Sequence, residues 1–359
     1  MPDTDPLLTV RLSEPGEVAA ALPHLIGFPP RESLVVVSVR GGRTRSFGLT
    51  ARVDLPPAGH RAAVVGSLVH SLMTDRPAAV VLAVVSEAPD DLAVDRWPGG
   101  ADRRPTLPHR DLVHEAVLAF AGRSVPVQET LLVRRSCWWS YDCPRECCAP
   151  AAGTPLPEGT SPLAAASALG GQVLAEDRAE LARRIAPVGF LAAAGMSRAC
   201  DEVGLDVARA TAERGWEDVA EESWAEVQRA LLRTAPGSVR AIPDHDVARV
   251  AWALRDIGVR DRALTLALGR RAAAATALWT EVTRRAPSPL DAAPATLLAV
   301  SAWLRGDGAM ANVALERALH SDPAYSFAGL LRTALDRCMP PAELRRLIAV
   351  TTDPFDAAT

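Results

Sequence analysis

Short apolar runs rich in β-branched residues constrain the first third of this chain most. SLVVVSV (Ser33 to Val39) and AAVVLAVVS (Ala78 to Ser86) are strand-length, and VQETLLVRRS (Val127 to Ser136) is a third run of the same kind. Runs this short and this apolar read as buried strands. SFGLTARVDL (Ser46 to Leu55) reads as the hairpin partner of the first, after the Arg40-Gly41-Gly42 turn. Between the strands, Pro15 to Leu22, Arg61 to Asp75 and Leu107 to Arg123 carry helical spacing. Ala88 to Thr106 is rich in proline and glycine and reads as a polar loop. The expectation is an α/β domain, a mixed sheet with flanking helices and at least one antiparallel pair.

The pattern changes after a linker, AAGTPLPEGTSP. From Ser161 onward alanine-rich amphipathic segments follow one another. Helix-start signals are Ser161-Pro162, Asp177 with Glu180, Ser288-Pro289 and Asp322-Pro323. Asp244-His245-Asp246 reads as a cap cluster opening another helix. Near the C-terminus, Ala311, Ala318 and Pro323 follow a Gly306-Asp307 turn at tetratricopeptide-like spacing, and Ala263 sits in a looser copy. The expected division is an α/β domain over 1–155 with a Cys-rich end, then an all-α domain over 156–359. Helical hairpins of tetratricopeptide-like character begin at about 245.

Composition removes whole classes of chemistry. All 39 basic residues are arginine. Without lysine there is no phosphate-loop lysine, no pyridoxal Schiff base and no protein-kinase ATP lysine. A net charge of -4 argues against a nucleic-acid partner. No apolar run approaches the roughly 18 residues of a membrane span, and MPDTDPLLTV lacks the pattern of a signal peptide. The expected location is the cytoplasm.

Four of the six cysteines fall in RRSCWWSYDCPRECCAP (Arg134 to Pro150). Cys143 and Cys147 enclose three residues, a spacing that can aim two thiolates at one zinc ion. Cys137 and Cys148 complete the metal-ligand candidates, and His109 and His114 are further candidates by proximity in sequence. The same cysteines also read as a reduced, packed cluster, as a redox pair, or as a nucleophile beside Arg134, Arg135 and Arg145. Trp138 and Trp139 point to opposite sides of an extended backbone, so one enters a core or forms an aromatic wall beside a ligand. HLIGFPPRESLVVV places Gly27, Phe28, Pro30, Glu32 and Ser33 at a strand entrance. With Arg135, Trp139, Ser140 and Tyr141 they make the candidate ligand-binding set. Gly306-x-Gly308-x-x-Ala311 follows a helix, so it is a turn and not a dinucleotide loop.

LIGFPPRESLVVV, CWWSYDCPRECC and AEDRAELARRIAP together resemble a domain-of-unknown-function family of high-GC Gram-positive bacteria. The resemblance runs from about Leu8 to the C-terminal helices. It rests on Gly27, Phe28, Pro30, Ser33, Trp139, Ser140, Tyr141, Cys143, Cys147 and Cys148. The chain departs from the pattern at Ala149, which stands before Pro150 where the family often has the proline directly. The resemblance implies a functional locus and no reaction. Two functions fit. One is a non-catalytic module that binds a ligand or senses redox or metal state, with a helical tail for a protein partner. The other is a hydrolase or transferase using a thiol or a metal near Cys143 to Cys148.

Overall fold

The computed structural model describes residues 14–42, 46–94, 103–157, 165, 173–235 and 241–356. Two compact units make up the chain, Met1–Asp177 and Arg178–Thr359.

The first unit is built on a mixed six-stranded sheet of order β2-β1-β3-β6-β7-β8. Its strands are β1 (Ser33–Arg40), β2 (Ser46–Asp54), β3 (Ala79–Val85), β6 (Val127–Arg134), β7 (Cys137–Ser140) and β8 (Thr154–Pro155). β1 pairs antiparallel with both β2 and β3. β3 and β6 are parallel, and α3 (Arg110–Ala121) lies between them in sequence. Such a pair needs a crossover, which a helix supplies. α1 (Pro15–Ile26) packs Val18, Ala19 and Leu22 against Val35, Val37, Val81 and Ala83 on one face. α2 (Arg61–Leu72) and α3 pack on the other face against Leu34, Val36, Leu82 and Val84. Both faces are covered, which is why β1 and β3 read as unbroken apolar runs.

Four expectations change here. α1 runs on through Pro23 to Ile26 and stops only at Gly27, whose φ of 97° is left-handed and whose N–H donates to the Pro23 carbonyl. The Ala88–Thr106 stretch contains a hairpin, β4 (Asp91–Val94) with β5 (Arg103–Thr106). The sheet does not end at Ser136. Arg135 and Ser136, with φ of 51° and 60°, make a two-residue turn, and the chain returns as β7 with Cys137 opposite Arg134. Two positive φ values in a two-residue hairpin loop match the right-handed strand twist. The fourth change concerns the proline signals. The helices after Ser288-Pro289 and Asp322-Pro323 begin later, at Ala292 and Ser326, because both dipeptides sit in turns. Ser161-Pro162 falls outside the described residues.

The second unit is a run of helices. At its centre lies Ala292–Leu304, in which every residue is buried. A helix that is apolar all round belongs in a core. Its polar members, Thr296 and Ser301, return their hydroxyls to the carbonyls of Ala292 and Leu297. Gly308–Ser321 and Ala272–Arg285 pack against it. Ala311 and Ala318 are fully enclosed, so the small-residue pattern of the sequence marks a close helix contact. The Gly306 turn has φ 82°, and the Asp307 carboxylate caps Gly308–Ser321 through the Met310 N–H.

Candidate functional site

The start of β1 and the carboxyl ends of β3 and β6 meet at one rim of the sheet, since Ser33 pairs with Val85 and β3 runs parallel to β6. Glu32, His109 and Arg135 there have φ of 40°, 60° and 51°. Left-handed backbone at ordinary residues is strained and persists where surrounding bonds hold it. The bonds are specific. The Ser86 hydroxyl, 1% exposed, donates to Glu32 Oε2 at 2.8 Å. It lies 3.0 Å from His109 Nε2 and accepts the Ala88 N–H at 3.1 Å. Glu32 Oε1 accepts the Glu87 N–H at 2.8 Å, and Glu87 Oε1 accepts the Arg135 N–H at 3.1 Å. Burial holds the His109 imidazole below its ordinary range, against the raising influence of Glu32 and Asp91. Ser86 is therefore a bridge between a carboxylate and an imidazole.

Arg134 carries this rim across to the cysteines. Its side chain is 7% exposed; Nη1 meets the Ala88 carbonyl and Asp90 Oδ1, both at 2.9 Å. Nη2 donates to the Pro150 carbonyl at 3.4 Å, and the guanidinium lies 4.9 Å from the Trp139 ring centroid. Trp139 enters the core of α2 and α3, while Trp138 packs on the α1 face. Alternation in β7 thus gives each sheet face one tryptophan.

Beyond β7 the chain turns back through a 3-10 turn, Glu146–Cys148. The loop is tied down by Trp139 Nε1 donating to the Ala149 carbonyl at 3.1 Å, and by Ser140 N–H donating to Cys148 Sγ at 3.3 Å. Cys143 Sγ lies 3.9 Å from Cys147 Sγ, which lies 4.0 Å from Cys148 Sγ. All three sulfurs fall within 4.8 Å of one another. Cys148 is buried, Cys143 half-buried and Cys147 exposed. Burial pushes the Cys148 thiol up to about 11. The Arg145 backbone N–H holds the Cys143 thiol below its usual value, with help from the neighbouring sulfurs and the Arg145 charge.

The candidate residues divide between these places. Gly27, Phe28 and Pro30 are buried and shape the entry into β1; the Gly27 carbonyl accepts the Ala175 N–H at 3.0 Å. Ser33 accepts the Arg52 Nε–H at 2.8 Å. Glu32 and Arg135 are joined through Glu87. Tyr141 is buried, its hydroxyl donating to the Pro108 carbonyl at 2.7 Å, and Ser140 and Trp139 hold the thiol loop. Cys137 packs against the core below α2 and α3, outside the three-sulfur group. His109 belongs to Ser86 and Glu32, and His114 is exposed on α3. Ser86 and Glu87 were not among the candidates. They close a strand that reads as purely apolar, and only the fold brings them to His109.

The family model for a domain of unknown function, DUF4192, matches residues 15–342. The chain belongs to the DUF4192 family. The match spans the sheet, the thiol loop and all but the last of the C-terminal helices. No curated protein and no solved structure matches the chain. Among the described residues, no helix is long and apolar enough to cross a membrane.

Proposed function

We propose that this member of the DUF4192 family is a non-catalytic thiol sensor that answers to redox state or to a soft metal ion through Cys143, Cys147 and Cys148. The observation that carries this reading is the convergence of three sulfurs within 4.8 Å on one anchored loop. Soft thiolates select soft ions and also form disulfides with one another. The three thiols are unequal, and inequality supports ordered chemistry. Cys143 has a lowered thiol and Cys148 a raised one, and the exposed Cys147 stands next to both. Free thiols of this kind suit the reducing cytoplasm.

The helical unit is the proposed surface for a protein partner. Leu264, Val300, Phe327, Leu331, Leu344 and Ile348 line an apolar cavity of about 260 Å³. Ile257 and Leu330 stand exposed on two of the helices that supply those lining residues. A mainly apolar cavity with Arg260, Asp261 and Arg262 also in its lining supports an interaction role.

The test is metal analysis by mass spectrometry of protein purified under reducing conditions, paired with thiol titration before and after mild oxidation. The wild type should carry metal, or lose two titratable thiols and regain them on reduction. Cys143→Ser should do neither. A wild type that binds no metal and keeps all its thiols under oxidant contradicts the reading.

A further inference from the structure

We propose that the three-sulfur group takes a three-coordinate, all-thiolate cation of the soft monovalent class, Cu(I). The proposal deepens the thiol-sensor reading and rests on it.

Ligand number is the deciding observation. Every cysteine and histidine of the chain lies among the described residues. Among them, Cys143, Cys147 and Cys148 form a group that no fourth sulfur or imidazole joins. Structural zinc is held by four protein ligands, three-ligand zinc sites complete a tetrahedron with water, and iron–sulfur clusters take four cysteines, so a plane of three sulfurs alone points away from all of these. Calcium and magnesium take oxygen, and no described carboxylate joins these sulfurs. Cu(II) favours tetragonal nitrogen and oxygen sites. Cu(I) favours thiolate and is content with three ligands in a plane.

The spacing fits the plane. Metal–sulfur bonds of about 2.3 Å place the sulfurs of a trigonal ion about 4.0 Å apart. Cys147 lies 3.9 Å from Cys143 and 4.0 Å from Cys148, and the third pair is within 4.8 Å, so a shift of less than an ångström seats the ion. Access and support are both present. Cys147 is exposed and gives an entry from solvent, while Cys148 is buried and fixed by the Ser140 N–H. That bond offsets negative charge on Cys148, as outer-shell donors do. Loading breaks three S–H bonds, forms three Cu–S bonds and releases three protons to solvent. No electron moves.

The experiment uses the full chain, reduced and anaerobic, with Cu(I) supplied as its acetonitrile complex and bathocuproine disulfonate as the competing chelator. X-ray absorption is recorded on the loaded protein. The expected result is one equivalent of Cu(I), three sulfur neighbours at about 2.3 Å, and no change on Cys137→Ser. Cys147→Ser, at an exposed position that leaves the fold intact, should lower affinity by at least about 100-fold, the upper end of outer-shell effects. Zinc retained against Cu(I) in a four-coordinate spectrum overturns the Cu(I) assignment and leaves the thiol-sensor reading standing. Reversible disulfide formation without Cu(I) binding does the same. Inert thiols with no metal of either kind overturn both.

Discussion

The indole N–H of Trp139 donates to the carbonyl of Ala149 at 3.1 Å, so the last core residue of the sheet holds the loop that carries the cysteines. Trp139→Phe keeps an aromatic ring in the core and removes this tether. It should cost about 2 kcal/mol, from a lost hydrogen bond and a small cavity. Cys148 should then react faster with a thiol reagent than in the wild type. Gly153→Ala tests the same packing from the other side. Gly153 has φ 76°, and an added Cβ would strike the Trp139 ring, so a loss of about 3 kcal/mol is expected from strain and overpacking. Denaturant titration reads both values.

The Ser86 bridge predicts a pH dependence. Burial holds the His109 imidazole below its ordinary pKa in the folded state. The unfolded chain then binds the extra proton more readily, so the stability held above about pH 6.5 is lost as pH falls through the lower folded value. His109→Gln should flatten that part of the stability–pH curve. Ser86→Ala should cost about 1–3 kcal/mol, because Glu32 loses its hydroxyl donor and Ala88 N–H loses its acceptor. Chemical denaturation between pH 5 and 8 distinguishes the two variants.

The strands β1 and β3 were legible because burial on both faces writes an apolar run into the sequence, as in SLVVVSV. The helical second unit was legible for a related reason: Ala311 and Ala318 are small where helices touch. β7 was hidden. It is four residues long, and its turn uses Arg135-Ser136 where glycine or asparagine would have signalled a hairpin. The thiol group was visible as the spacing of Cys143, Cys147 and Cys148, yet the separation of Cys137 from it depends on register, with Cys137 paired opposite Arg134. Ser86 and His109 are 23 residues apart, and nothing in either neighbourhood announces the other. Their meeting is a product of sheet order.

Asp75 anchors the opposite end of β1. Its carboxylate accepts from the Ser38 hydroxyl, from Arg40 Nε at 2.9 Å and from the Leu49 N–H at 3.0 Å. Burial pushes its pKa up, and the bonds from Arg40 and Ser38 outweigh this, so the carboxyl sits below its ordinary value. Its stabilisation is present above the unfolded carboxylate pKa and lost as pH falls through the folded one. Asp75→Asn should cost about 3 kcal/mol at neutral pH, since Arg40 loses its counter-charge. It should also remove part of the acid sensitivity in thermal melts below pH 4.

The central claim is that three of the six cysteines act as one site. Metal content and affinity measured across six single Cys→Ser variants, under reducing conditions, test it most directly. The account predicts loss of bound metal at Cys143, Cys147 and Cys148, and wild-type content at Cys137, Cys200 and Cys338. Equal loss at Cys137, or a metal-loaded wild type whose content is kept in all six variants, would contradict it.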